Sequence, residues 1–205
     1  MSEFDDKAQQ WDQNRMHLDR TKAVAAEMQA RIPLTGAMKA LEFGAGTGLL
    51  SFYLKERFAS VTLMDTSAEM LKMAEAKLGS DDAGRIIPLF FDLEKELYSG
   101  EKFDIIFSQM VLHHIADVNA VLEKFSGMLN PGGYLAIADL CSEDGTFHDP
   151  GVVVHHGFDQ AELSGWIKAS GFVDILSDTC FIIGRETTAG AIKEFPVFLL
   201  TAKKA

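Results

Sequence analysis

The chain is poor in the residues that staple a fold, cross a bilayer or bind a polyanion. Two cysteines, Cys141 and Cys180, occur in 205 residues, too few for a disulfide scaffold, and both read as small core residues rather than nucleophiles. Lys and Arg total 19 against 30 Asp and Glu, a formal net charge of −11. Attraction to a nucleic-acid backbone needs clustered Lys and Arg, and the nearest approach to a cluster is Lys203-Lys204. Nucleic acid is therefore not an expected partner. No apolar run approaches the roughly 20 residues of a membrane span. The opening Met1 to Asp6 is acidic and polar, unlike the basic-then-apolar start of a secretory signal, so the expected compartment is the cytoplasm, with no membrane partner. Internal repeats and low-complexity segments are also missing. What remains is ordinary globular composition, 47% hydrophobic and 24% charged, and a length that fits one domain over residues 1–205.

Against this background one stretch stands out: Leu41-Glu42-Phe43-Gly44-Ala45-Gly46-Thr47-Gly48. An apolar run, Met38 to Leu41, precedes it and a helix-like run, Leu49 to Phe58, follows. A strand, a glycine-rich turn and a helix bring backbone N–H groups close to a ligand without side chains in the way. In an open α/β sheet this first turn lies beside the point where the strand order reverses, where small ligands bind. A dinucleotide fingerprint needs G-x-G-x-x-G. Here Gly48 comes one position early and Leu49 stands where that fingerprint has glycine. Glu42, two residues before the first glycine, would repel a pyrophosphate and suit an ammonium group.

Strand-like and helix-like runs alternate along the chain. Phe4 to Arg31 reads as helical, with Asp19 or Thr21 as N-cap and Val24, Met28 and Ile32 on one face; residues 1–35 form an N-terminal helical segment or lid. Strands are expected at Lys39 to Phe43, Ser60 to Met64, Arg85 to Phe91, Phe103 to Ser108 and Tyr134 to Asp139. Helices are expected at Leu49 to Phe58, Ser67 to Leu78, Asp117 to Leu129 and Asp159 to Ser170, with Ser67 and Asp159 as caps and Gly79 and Gly171 as stops. Asn130-Pro131-Gly132-Gly133 reads as a tight turn. Val173 to Ile183 and Phe195 to Ala202 form the last two strands, and the short Glu186 to Gly190 segment between them makes them antiparallel. Continuous apolar strands alternating with helices imply a mostly parallel sheet covered on both faces.

The glycine turn with its preceding acid resembles motif I of the class I S-adenosylmethionine-dependent methyltransferases. Three further stretches carry the resemblance over most of the chain. Asp65 ends the second strand in V-T-L-M-D-T-S. Asp92 ends the third in F-F-D-L. The run F-D-I-I-F-S-Q-M-V-L-H-H-I, followed by L-N-P-G-G-Y-L-A-I, is similar to the fourth-strand motif and the turn into the fifth strand. F-D-D-K-A-Q-Q-W-D resembles the F-D-x-x-A-x-x-Y-D start of small-molecule methyltransferases, with Trp11 in place of Tyr. The resemblance implies a Rossmann-like, doubly wound α/β sheet of seven strands in the order 3-2-1-4-5-7-6, with strand seven reversed. It implies S-adenosylmethionine as cofactor, held by Trp11, Glu42, Phe43, Gly44, Ala45, Gly46, Gly48, Asp65, Thr66, Asp92, Leu93, Gln109 and Met110. In this family Asp65 takes the ribose diol, a charge-assisted pair of hydrogen bonds, and Asp92 the adenine amine, with the Leu93 N–H reading the ring. Each residue also has a plainer role: the glycines in helix–strand packing, Asp65 and Asp92 as caps or turn residues, Trp11 as a core aromatic. The nucleic-acid amino-methyltransferase signature D/N-P-P-Y/F is absent; Ser108-Gln109-Met110-Val111 occupies its place.

The histidines hold the remaining chemistry. His113 and His114 follow the fourth strand, where cofactor and acceptor should meet, and His156 belongs to the region after the fifth strand, part of the acceptor wall in this family. A neutral acceptor must lose a proton, and an imidazole is its natural recipient; these three are the candidate catalytic residues, with loop capping as their structural alternative. His113, His114, His148, His155, His156, Asp139 and Cys141 are enough ligands for a divalent ion, but adjacent histidines project differently and no H-x-x-x-H or C-x-x-C spacing exists, so no metal is expected. The sequence thus points to a monomeric or homodimeric methyltransferase acting on a small-molecule acceptor. An NAD-dependent oxidoreductase and a non-catalytic S-adenosylmethionine-binding module are the alternatives.

Overall fold

The computed structural model describes residues 10–148, 152, 154–186 and 191–205. Phe4 to Gln9 of the N-terminal motif, 149–151 and Val153 in the region after the fifth strand, and 187–190 between the last two strands lie outside the described residues. The elements run α1 (Arg15–Arg31), β1 (Lys39–Phe43), α2 (Leu49–Leu54), β2 (Ser60–Asp65), α3 (Ala68–Glu75), β3 (Ile86–Phe90), β4 (Phe103–Gln109), α4 (Val118–Met128), β5 (Leu129–Leu140), α5 (Gln160–Ala169), β6 (Phe172–Glu186) and β7 (Ile192–Lys204). The strands form one seven-stranded sheet in the order β3-β2-β1-β4-β5-β7-β6, the order implied by the resemblance. β1 to β5 pair in parallel, and β7 runs antiparallel to both β5 and β6.

Alternation along the strands builds a core on each face of the sheet. Ile105 and Phe107 of β4, Ala136 and Ala138 of β5, and Val197 and Leu199 of β7 pack with Val24 and Met28 of α1, Leu50 and Leu54 of α2 and Leu71 of α3. The intervening residues Ile106, Leu135, Ile137, Phe198 and Leu200 face the other way, onto Val121, Leu122 and Phe125 of α4 and Leu163 and Ile167 of α5. The fully buried Val, Leu, Ile, Phe and Met side chains among them each contribute roughly 1.5–3 kcal/mol. The strand order reverses between β2-β1 and β4-β5, so the parallel strands end beside a crevice at that switch point.

The local signals hold with informative exceptions. Ser67 caps α3, accepting from the Met70 N–H, and Asp159 caps α5. The cap of α1 is neither Asp19 nor Thr21; Asn14 accepts from the Met16 N–H at 3.0 Å. Val24 and Met28 sit on the buried face as expected, but the helix begins a turn earlier than its apolar pattern does. α2 is shorter than expected and tightens into a 3-10 turn at Lys55–Arg57. The tight turn Asn130 to Gly133 lies inside β5: Leu129 pairs with Phe103 and Tyr134 with Ile105, so the intervening residues bulge within a continuous strand. The corrected cap yields a direct test. Asn14→Ala should lower stability by about 1 kcal/mol. Asp19→Ala removes only an exposed i,i+4 pair with Arg15 and should stay within about 0.5 kcal/mol of wild type. Chemical denaturation of the two variants decides; a larger loss for Asp19→Ala would restore Asp19 as the cap.

Candidate active site

A cavity of about 900 Å³ opens at the strand ends around the switch point. Its lining joins the glycine turn (Glu42 to Gly46), the ends of β2 and β3 (Asp65, Thr66, Asp92, Leu93), the end of β4 (Gln109, Met110), the turn after it (His113, His114), the N-terminal segment (Trp11, Arg20) and the loop after β5 (Phe147, His148). Of the cofactor-binding and catalytic candidates read from sequence, only Gly48 and His156 are missing from this wall. Gly48 has φ +74°, and a Cβ there would lie 2.9 Å from Leu63 Cδ1 and 3.3 Å from the Phe52 ring. Its glycine serves the close approach of α2 to β2. Gly44 is different: at φ +63° a Cβ would stand 2.5 Å from both methyl groups of Val111, at the cavity wall.

Gly48 has a second consequence. It stands at the N-cap of α2 and offers no side chain to the helix N–H groups. Glu42 does this work from the neighbouring strand: its Oε2 accepts from the Ser51 N–H at 3.1 Å and from the Ser51 hydroxyl. The carboxyl is 3% exposed, and burial pushes it up to about 7, partly offset by the two bonds from Ser51. Asp65 also bridges backbone: Oδ2 accepts from the Gly46 N–H at 2.6 Å and Oδ1 from the Ser67 N–H at 2.7 Å. Asp92 accepts from Glu94 and Lys95 N–H groups and from Lys95 Nζ at 2.6 Å, and the Lys95 ammonium lowers its carboxyl below the usual range. Met110, at the end of β4, holds φ +60°. This left-handed conformation is rare for a residue with a Cβ, costs of order 1 kcal/mol and concentrates at functional sites.

The N-terminal segment closes one side. Asp12 accepts from the Thr47 hydroxyl at 2.5 Å and from Lys77 Nζ at 2.7 Å, which ties this segment to the glycine turn. Trp11 stacks on His17 with ring centroids 4.3 Å apart. Gln109 Nε2 donates to the Thr21 hydroxyl of α1 at 3.0 Å. Arg20 was not anticipated. Its side chain is almost fully buried and lines the cavity. Nε has no hydrogen-bond partner among the described residues, and Nη1 lies 3.7 Å from Met16 Sδ. Burial pulls this guanidinium down to about 10, with Asp139 and Cys180 opposing. Its position was visible in the sequence, one turn before Val24 and two before Met28 on the same face, where a charge is out of place.

The histidines divide by environment. His113 is buried, and Asp139 Oδ1 lies 2.6 Å from its Nδ1; Asp139 is itself fully buried at the end of β5. His114 and His148 stand beside it, with ring centroids 4.2 and 5.0 Å from that of His113. His155 is structural: its N–H donates to the His113 carbonyl and its Nε2 pairs with the Ile115 carbonyl. His156 is exposed and its ring lies against Gly145. Phe158 N–H donates to the Leu140 carbonyl and Glu143 N–H to the His156 carbonyl, with Gly157 between them at φ +69°. This leaves His155 half-buried and His156 exposed.

The family profile described as a methyltransferase domain matches residues 41–137. An uncharacterized methyltransferase of Mycobacterium bovis is 33% identical over 129 residues, which cover 63% of this chain and 60% of that protein. Among solved structures, a methyltransferase in complex with the Haloferax volcanii Trm112 activator superposes with TM-score 0.75 at 19% identity, covering 100% of this chain and 98% of that one. Haemonchus contortus phosphoethanolamine N-methyltransferase 2, solved with S-adenosyl-L-methionine, gives TM-score 0.72 at 15% identity, covering 100% of this chain and 60% of that one. The strand order, the glycine turn and these relatives agree: the chain has the fold of the class I methyltransferases and is similar in sequence to methyltransferases over 63% of its length.

Proposed function

We propose that the cavity binds S-adenosylmethionine and a small-molecule acceptor together, and that the protein transfers a methyl group to that acceptor. The observation that carries this reading is a single cavity lined both by carboxylates with a glycine turn and by imidazoles. When bound, S-adenosylmethionine supplies a methyl group on a sulfonium centre. The residues present fit it. Gly44 leaves a cradle that a Cβ would fill. Glu42, with Oε2 engaged by Ser51, keeps Oε1 for an ammonium group. Asp65 faces a ribose diol, Asp92 and the Leu93 N–H an adenine edge, and Trp11, Phe43, Ala45, Thr66, Gln109 and Met110 complete the wall. Arg20, a buried cation with no carboxylate in ion-pair contact among the described residues, fits the methionyl carboxylate.

Among the imidazoles, His113 and His114 orient the acceptor's nucleophilic atom. Asp139 fixes the His113 ring at Nδ1, so Nε2 is the nitrogen left for an acceptor group. The N-terminal segment, tied to the glycine turn through Asp12, acts as a lid that excludes water from the cavity. Enclosure, rather than a flat charged face, and an acidic chain favour a small acceptor over a polyanion.

Two measurements test the cofactor half. Asp65→Ala should weaken S-adenosylhomocysteine binding about 30- to 1,000-fold, the loss of roughly 2–4 kcal/mol of charge-assisted hydrogen bonding. Gly48→Ala should instead lower stability and leave the affinity of the folded protein close to wild type. Calorimetric titration of both variants reads this, and unchanged affinity in Asp65→Ala would sink the ribose assignment.

The second concerns pH. Glu42 titrates near 7 in the folded protein and near 4.5 in its ordinary state. The folded form therefore holds its proton more tightly, so this group's contribution to ligand-free stability is fully present below about 4.5 and is lost as pH rises through 7. Ligand binding has the opposite sign, because an ammonium group needs the carboxylate. S-adenosylhomocysteine affinity should rise by up to about tenfold between pH 6 and pH 8, and Glu42→Gln should flatten that rise. A wild-type rise retained in Glu42→Gln assigns the proton elsewhere.

A further inference from the structure

We propose that His113, His114 and His148 form a binding site for one divalent transition-metal ion of the zinc class at the acceptor end of the cavity. One ligand atom from each imidazole lies within 4.8 Å of the other two, and all three residues line the same cavity. The objection from sequence was that adjacent histidines diverge. The short 3-10 turn Leu112–His114 answers it by bringing the rings of His113 and His114 to 4.2 Å between centroids, tilted by 42°. His148 arrives from the loop after β5, with its ring centroid 5.2 Å from that of His114.

A second observation points to a ligand. Metal-bound histidines characteristically give their other ring nitrogen to a carboxylate, which fixes the tautomer and raises ligand basicity. His113 has this arrangement: the buried Asp139 carboxylate takes Nδ1 at 2.6 Å and leaves Nε2 as the ligating atom. The backbone around the pair is held as well. Asp139 accepts from the His113 and Leu140 N–H groups, and His155 donates to the His113 carbonyl. The carboxylate also supplies negative charge that a divalent ion needs behind its ligand. Zinc–nitrogen bonds near 2.1 Å set tetrahedral ligand atoms about 3.4 Å apart, so ring rotations that draw the three imidazoles in by about 1.4 Å complete the set. Three protein ligands leave a fourth position, the pattern of catalytic rather than structural zinc, and here it faces the cavity.

This deepens the proposed methyl transfer and rests on it for its role. An acceptor hydroxyl or thiol taking the fourth position ligates as the anion, and its proton leaves to solvent. In the transfer that follows, the new bond joins that oxygen or sulfur to the methyl carbon, and the pair from the broken carbon–sulfur bond stays on the cofactor's sulfur. The ion thereby lowers the acceptor's pKa, a task otherwise left to a free imidazole.

The test uses the full chain, stripped with a chelator and titrated with Co2+ alone and Zn2+ alone. Co2+ should bind at one equivalent with the strong ligand-field absorption of a tetrahedral site, and Zn2+ should displace it. His148→Gln and His114→Gln should each weaken Zn2+ binding by at least about tenfold, and Asp139→Asn by about 10- to 100-fold. His156→Gln, outside the cavity, should bind as wild type. S-adenosylhomocysteine titration of the same samples reports folding and separates the two readings. Intact S-adenosylhomocysteine binding without a tetrahedral Co2+ spectrum overturns the metal site and leaves the methyltransferase reading standing. The reverse pattern does the opposite. A spectrum that survives both His148→Gln and His114→Gln places the ion elsewhere and overturns the assignment.

Discussion

Everything at the functional edge follows from parallel pairing. Because β1 to β5 run the same way, their carboxyl ends open together, and the turns that leave them must share one side of the sheet. The reversal of order between β1 and β4 separates the outgoing chains, α2 and α3 packing with α1 on one face and α4 and α5 on the other. The crevice is thus a by-product of covering both faces of an apolar sheet. The antiparallel β7 extends the sheet without contributing to that edge, since its chain runs the other way.

Within the crevice, groups that line the cavity also hold the backbone. Glu42 caps a helix that its glycine N-cap leaves open, and it does so from inside the cavity wall. Asp65 braces the glycine turn through Gly46 while standing at the end of β2. Met110 holds a strained backbone and Arg20 a buried charge. These are departures from local preference, and they cluster at the cavity wall rather than in the two packed layers.

The fold was legible because its signals are local and periodic. Alternating burial along β4, β5 and β7, a cap at Ser67 and another at Asp159, and a gap too short for a crossover between β6 and β7 are properties of neighbouring residues. The glycine turn and the acids that end β2 and β3 were legible for the same reason. What the sequence hid depends on docking. Arg20 becomes a cavity residue only when α1 packs against the sheet, and His148 meets His113 across 35 positions only through the loop after β5. The exposed side that His156 takes depends on the turn at Gly157 and the bond from Glu143 N–H to its carbonyl, which no local pattern announces. Asn14 was overlooked because the apolar stripe of α1 starts later than the helix. Gly48 was grouped with Gly44 by spacing, although only its neighbours Leu63 and Phe52 reveal what it is for.

The pin at Asp12 carries a kinetic consequence. One carboxylate, from the segment ahead of α1, receives both the Thr47 hydroxyl of the glycine turn and the Lys77 ammonium beyond α3. The hold of this segment on the glycine turn is therefore coupled to an ion pair that dissolved salt screens, and the segment releases more readily as ionic strength rises.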